Sequence, residues 1–154
     1  QKDIDAAALR TVTLALLPDV KMRRLGTFRE EWKRLTRQDA PPVLGVGLMR
    51  KAWMAQNPDG PAKVVAAMRK AFEYGKADKP GVAKILMASA NLNATDAAAY
   101  AALWDGIYTV SLEPADIASL KREFEVFKAV GAVQGSLPEG ALVPGPYEQS
   151  KAIP

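Results

Sequence analysis

The sequence predicts an α/β fold that is rich in helix and contains few strands. From residue 61 to residue 130, apolar side chains recur at the three- and four-residue spacing of helices. Short apolar runs without that spacing occur only in the first 50 residues. We therefore expect strands in the first 50 residues and, at most, in the tail. The expected helices lie near residues 61–77, 80–90, 94–108 and 114–130.

The first part of the chain combines one ambiguous segment with one well-marked helix. Residues 4–17 are apolar and rich in alanine, and they form either one helix or a strand end that leads into a helix. Residues 22–25 suggest a short strand. Thr27 and Glu30 then have the spacing of a capping box, which predicts a helix that runs to about Arg37. Its apolar stripe is Phe28, Trp32 and Leu35.

A proline pair separates this region from the helices. Pro41 and Pro42 cannot donate hydrogen bonds to a helix or a ladder, so they mark a break in the chain. Residues 43–49 predict a buried strand in which Gly45 and Gly47 allow close backbone packing. The two glycines lack the third glycine of a dinucleotide-binding loop, so we do not interpret them as a phosphate site.

The four expected helices have recognisable ends. Asn93 is a good N-cap for the third helix, Pro114 opens the fourth, and Gly131 suits the position just after its end. From Gly135 onward, prolines and glycines predict an irregular tail. Most aromatic residues occur at helical spacing and are expected in the core. They are Trp32, Trp53, Phe72, Trp104, Phe124 and Phe127.

Composition excludes several classes of function. The chain has no cysteine and no histidine, so thiol catalysis, histidine-based triads and zinc sites built from these residues are ruled out. Its carboxylates are scattered, and no pair is placed for acid–base catalysis. We therefore expect no enzymatic activity, no cofactor and no metal site. The longest apolar run, within residues 12–17, is far shorter than a membrane span of about 20 residues.

The positive charge is concentrated near the start. Residues 1–51 contain 11 basic and 6 acidic side chains, whereas residues 52–154 contain 10 and 11. Within residues 21–37, seven basic side chains are opposed only by Glu30 and Glu31. This segment is either a surface for an anionic partner such as nucleic acid or simply a solvated helix face. The i,i+4 pair of Glu30 and Arg34 favours the solvated face.

Several short motifs follow one another in an order that resembles one protein family. They are Ile4-Asp5-Ala6-Ala7-Ala8-Leu9, Met22-Arg23-Arg24-Leu25, Glu31-Trp32, Pro41 to Val46, Trp53 to Pro58, Lys79-Pro80-Gly81-Val82-Ala83-Lys84-Ile85-Leu86, the Trp104 helix and the helix before Gly131. Their order resembles solute-binding proteins of the nitrate/sulfonate/taurine ABC-importer family, which also includes binding proteins for thiamine precursors. The similarity extends loosely over the whole chain.

The resemblance implies the C-terminal half of a two-lobed protein with the type II periplasmic-binding-protein fold. Residues 1–41 would end the second lobe, and residues 49–154 would be helices that pack on the first lobe. Residues 42–48 would be a crossing strand, with Val43, Leu44, Gly45 and Val46 as the hinge. The protein would be periplasmic or anchored to the outer face of the cytoplasmic membrane.

The resemblance also implies a ligand site. Arg10 and Thr11 fall in the register that the family places near the cleft between the lobes, although the proline of the family pattern is absent here. A guanidinium and a hydroxyl suit nitrate, a sulfonate or a carboxylate. The alternative is that Arg10 is only solvent-exposed.

These observations lead to one expected function and to alternatives. The expected function is a binding component that delivers a small, anionic solute to a membrane permease. Its partners would be the ligand and the permease, without nucleic acid. The first alternative is a helical interaction module that uses residues 21–37 to bind nucleic acid or an acidic partner. An enzyme of the thiamine-precursor branch is a weaker alternative, because no candidate catalytic residue is visible.

Overall fold

The computed structural model describes residues 4–17 and 19–154, and their regular structure is helical. In chain order the helices are α1 (Thr11–Ala15), α2 (Phe28–Thr36), α3 (Lys51–Gln56), α4 (Gly60–Ala77), α5 (Lys79–Ala90), α6 (Ala94–Ala102), α7 (Trp104–Ile107), α8 (Pro114–Ala129) and α9 (Gly145–Ser150).

The predicted α/β class is wrong, because residues 4–17 and 19–154 contain no strand. Residues 43–49 are not a buried strand: Leu44 and Leu48 are 84% and 89% exposed. Residues 22–25 also lack regular structure. A strand is defined by hydrogen bonds to a neighbouring strand, and β-prone residues alone do not supply that neighbour. Of residues 4–17, only Thr11–Ala15 are helical.

Helix boundaries that depend on local sequence are confirmed. Thr27 and Glu30 form the predicted capping box: the Glu30 N–H donates to the Thr27 hydroxyl at 3.1 Å, and the Thr27 N–H donates to the Glu30 carboxylate at 2.7 Å. Asn93 caps α6 by accepting from the Asp96 N–H at 2.9 Å. Gly131, with a φ of 74°, follows the end of α8.

The expected helices near 61–77, 80–90 and 114–130 correspond to α4, α5 and α8. The expected helix over 94–108 is divided at Leu103, whose N–H donates to the Tyr100 carbonyl three residues earlier. Such i→i−3 bonds tighten the backbone and end a regular helix. The tail was expected to be irregular, but α9 lies within it.

The chain divides into two units. The first comprises Gln1–Arg23 and Arg69–Thr109, and the second comprises Arg24–Met68 and Val110–Pro154, so the division falls inside α4. In the first unit, α6 packs on α5 and α1. Small side chains allow this close packing, because Ala97 and Ala101 on α6 are buried together with Val82 on α5.

In the second unit, a polar network holds α9 against the start of α8. Glu113 accepts from the Tyr147 hydroxyl at 2.9 Å and from the Lys151 ammonium at 2.8 Å. The Lys151 ammonium also lies 4.6 Å from the centre of the buried Tyr147 ring. Trp32 of α2 is buried in this unit as predicted, but its stripe neighbours Phe28 and Leu35 are 64% and 56% exposed.

Candidate functional site

An apolar hollow lies in the first unit between the second half of α4, α5 and the side chain of Trp104. Its volume is about 480 Å³. The lining residues are Lys70, Ala71, Tyr74, Val82, Ile85, Leu86 and Trp104. Sites for small ligands usually have about 300–1,000 Å³ and mainly apolar walls with a few polar groups. The hollow matches that description in its volume and its apolar walls, so we treat it as the candidate site.

Trp104 forms a fixed wall of the hollow. Its indole N–H donates to the Phe72 carbonyl at 3.0 Å, which attaches the ring to α4. The Phe72 ring is stacked with the indole at a centroid distance of 6.5 Å, and the Tyr108 ring is tilted against it at 4.8 Å. Aromatic contacts and a satisfied indole N–H both restrict the position of the ring.

Gly75 makes this position of Trp104 possible. A Cβ atom at Gly75 would lie 2.4 Å from Cε2 and 2.5 Å from Nε1 of the indole. Glycine is unfavourable inside a helix by about 1 kcal/mol relative to alanine. Its presence within α4 is therefore explained by the close approach of the indole to the helix backbone.

The junction of α4 and α5 is held by a second local network. Asp78 caps α5 by accepting from the Gly81 N–H at 2.8 Å, and it also accepts from the Tyr74 hydroxyl at 2.9 Å. The Gly81 and Tyr74 hydrogen bonds lower the pKa of Asp78, and the same carboxylate raises the pKa of Tyr74. Tyr74 is thus oriented along the rim of the hollow and remains protonated at neutral pH.

Lys70 is the one basic residue among the described residues that line the hollow, and it does so with its aliphatic stem, because the lining surface is almost entirely apolar. It is exposed and has no ion pair with any residue of 4–17 or 19–154. The nearby basic residues Lys76 and Lys79 are paired with Glu73 and Asp105. An apolar surface next to an unpaired ammonium is suited to an organic anion, which has an apolar part and a charged end.

The predicted ligand residues Arg10 and Thr11 lie in the same unit but do not line the hollow. Both are exposed at the start of α1. Arg10 is within electrostatic range of Tyr108, which shares a hydrogen bond with Tyr100. That hydrogen bond, followed by burial, raises the pKa of Tyr108 to about 12, whereas the charge of Arg10 acts to lower it. Arg10 therefore approaches Tyr108, one of the two rings in contact with Trp104.

The predicted hinge residues lie in the second unit, in a segment without regular structure that is attached to α8. The Val43 N–H donates to the Glu123 carboxylate at 3.1 Å, and the Ser119 hydroxyl donates to the Pro41 carbonyl at 2.7 Å. Burial raises the pKa of Glu123, although the Val43 N–H acts in the opposite direction. After Val43 the segment is exposed at Leu44, Gly45 and Val46, and its function as a hinge remains a prediction.

The basic segment is exposed along its length. All seven basic side chains of residues 21–37 are exposed, and within α2 the Arg34 guanidinium donates to Glu31 at 2.7 Å. The expected Glu30–Arg34 pair is not formed, because Glu30 closes the capping box instead. Lys33 pairs with Asp39 at 2.6 Å.

Among the described residues, no group of three or more acidic side chains could hold a metal ion. In the same part of the chain, no helix has both the length and the apolar character needed to cross a bilayer.

Comparisons of this chain with protein-family models, with curated proteins and with solved structures found no match. The candidate site therefore depends on its own geometry.

Sequence reasoning missed the hollow but identified part of its wall. The helix expected near residues 80–90 from the spacing of apolar residues carries Val82, Ile85 and Leu86 of this wall. Lys70 and Trp104 are 34 positions apart, and no local pattern indicates that they line one surface. The one available signal was Gly75 within an otherwise regular helix pattern, which indicates a close contact.

Proposed function

We propose that the chain binds a small organic anion, an alkanesulfonate or a related compound, as part of the solute-binding component of an ABC importer. The observation that carries this proposal is the apolar hollow, which is lined in part by Lys70, an exposed lysine with no ion pair among the described residues. The order of short motifs, which resembles that of the nitrate/sulfonate/taurine family, supports the same class of ligand. On this proposal the protein works outside the cytoplasmic membrane, together with a permease.

The chemistry of the hollow favours a sulfonate over nitrate. Nitrate has no apolar part, so it would gain nothing from the side chains of Val82, Ile85 and Leu86. An alkanesulfonate can place its chain against these residues and its oxyanion near Lys70. Lysine acts on such an anion as a point charge, and Trp104 supplies a rigid surface for the chain.

Calorimetric titration of the chain with a short alkanesulfonate tests the site. Lys70→Ala should weaken binding about three- to tenfold, because hydrogen bonds to charged groups are valuable but this one is exposed. Ala71→Phe should weaken it further by filling the hollow. Lys63→Ala is the matched control, because Lys63 is also an exposed lysine of α4 but lies outside the hollow.

Two comparisons in the same titration make the result decisive. Arg10→Ala distinguishes the hollow from the site predicted at Arg10 and Thr11. If Arg10→Ala lost sulfonate binding and Lys70→Ala kept it, the binding site would lie at the start of α1 and not in the hollow. An uncharged alcohol of the same chain length should bind more weakly than the sulfonate. Equal binding of the two ligands would contradict an anion site.

Transport requires a second readout. In proteoliposomes that contain a sulfonate-type ABC permease, the chain and the sulfonate together should accelerate ATP hydrolysis more than either does alone. No acceleration, in the presence of sulfonate binding, would limit the function to ligand capture.

One observation favours the alternative of a helical interaction module. The basic side chains of residues 21–37 are all exposed and available to an anionic partner. The two functions are separable, because Lys70→Ala leaves this segment unchanged. Binding of an anionic partner that persists in Lys70→Ala and weakens steeply with salt would favour the interaction module.

A further inference from the structure

The surface of α2 and the residues just before it combines exposed apolar and basic side chains. Leu25, Phe28 and Leu35 are 71%, 64% and 56% exposed. Each has an exposed arginine beside it in the sequence: Arg24 before Leu25, Arg29 after Phe28 and Arg34 before Leu35. We call this set the α2 surface. It lies entirely within the second unit.

Two of these apolar residues, Phe28 and Leu35, lie on one uncovered edge of α2. Phe28 and Leu35 are seven residues apart, so they lie on the same side of the helix two turns from each other. Trp32 lies between them and is 5% exposed, which shows that one edge of the apolar stripe is already packed. The other edge, with Phe28 and Leu35, has no such cover within the part of the chain that the structure describes. Large apolar side chains grouped in this way usually mark a binding surface.

The charge around this edge is strongly positive. Residues 24–37 contain Arg24, Arg29, Lys33, Arg34 and Arg37 against Glu30 and Glu31, a net charge of +3. Arg29 has no ion pair with any residue in the described ranges, and Arg24 acts on Glu30 only through its charge, without a direct ion pair. The partner of this surface should therefore be anionic.

We propose that the α2 surface binds the headgroup region of an anionic phospholipid bilayer. Basic amphipathic helices lie in this region, with apolar side chains inserted at the acyl boundary and basic side chains among the lipid phosphates. Nucleic acid is a poorer partner, because the leucine side chains add nothing to phosphate contacts. The surface also offers a single exposed aromatic ring, Phe28, on which a base could stack. The inference is independent of the function proposed for the hollow.

Flotation of the full chain with vesicles tests the proposal. The chain should bind vesicles of phosphatidylcholine mixed with phosphatidylglycerol and should bind phosphatidylcholine alone much more weakly. Arg24→Gln/Arg29→Gln should reduce partitioning to the anionic vesicles roughly thirtyfold, since two charges near the surface are removed. The matched control is Lys121→Gln/Arg122→Gln, two exposed basic residues of α8 in the same unit, and it should bind as the wild type does.

A second pair of variants tests insertion. Phe28→Ser/Leu35→Ser should reduce partitioning by at least roughly tenfold, because burial of each side chain in the acyl boundary is lost. Val130→Ser is the control, because Val130 is 72% exposed but lies outside the α2 surface. Far-ultraviolet circular dichroism confirms that each variant is folded.

Three results would overturn the proposal. The first is equal binding to neutral and anionic vesicles, and the second is unchanged partitioning of Phe28→Ser/Leu35→Ser. The third is tight binding to single- or double-stranded nucleic acid that is insensitive to Phe28→Ser/Leu35→Ser, combined with no vesicle binding. That third result would assign the α2 surface to nucleic acid.

Discussion

Substitution of Gly75 by alanine tests the packing of the candidate site. The added Cβ would lie 2.4 Å from Cε2 of Trp104, whereas ordinary carbon contacts are about 3.5–4.0 Å. The neighbouring atom belongs to a ring system whose N–H is bonded to the Phe72 carbonyl at 3.0 Å. The ring therefore has to shift by about 1 Å or more, and the hydrogen bond is weakened or lost.

The magnitude follows from three contributions. Alanine stabilises a helix interior by about 1 kcal/mol relative to glycine. Overpacking opposes this by about 1–3 kcal/mol, and loss of the indole hydrogen bond by about 0.5–1.5 kcal/mol. We expect Gly75→Ala to lower the free energy of unfolding by about 0.5–3.5 kcal/mol, which corresponds to a fall in melting temperature of about 1–14 °C.

Urea and thermal unfolding, followed by circular dichroism, measure the effect. Gly106→Ala is the matched control: Gly106 lies in α7, and a Cβ there would have no neighbour within 4 Å, so this variant should be as stable as the wild type or slightly more stable. In a Trp104→Ala background the contact is absent, so Gly75→Ala should become stabilising. The reasoning is refuted if Gly75→Ala behaves like Gly106→Ala, or if its effect is the same with and without Trp104.

Two further predictions concern the second unit. Burial raises the pKa of Glu123, so folding favours the protonated form of this side chain. The resulting contribution to the free energy of unfolding is present below the unfolded pKa of about 4.3, and it is lost as the pH rises through the folded pKa. Glu123→Gln can still accept from the Val43 N–H, so it should flatten the decline of stability above about pH 4. Urea unfolding at several pH values measures this, and an unchanged pH profile would contradict the raised pKa of Glu123. Thr27→Ala should lower the free energy of unfolding by about 1 kcal/mol through loss of the capping box, whereas Thr27→Ser should retain most of the stability of the wild type. Equal stability of the two variants in thermal unfolding would argue against the cap.

The sequence by itself determined the helix boundaries that are set within one turn. The Thr27–Glu30 box, the Asn93 cap and the Gly131 terminus depend on groups that are three or four residues apart, and all three were predicted correctly. Composition was equally sufficient to exclude chemistry based on cysteine or histidine. Such features need no knowledge of distant residues, because the hydrogen-bonding partners lie in the same segment.

Only the tertiary structure decided which apolar segments are covered and where the hollow lies. Residues 43–49 read as a buried strand, yet the structure attaches them to α8 through Val43 and leaves Leu44 and Leu48 exposed. Lys70 and Trp104 likewise line one surface only because α4, α5 and the turn at Leu103 bring them there. The physical reason is the same for both. The composition of a β-prone or apolar segment indicates which side chains it could bury. Burial and strand pairing, however, need a second surface, and the residues of that surface are distant in the sequence.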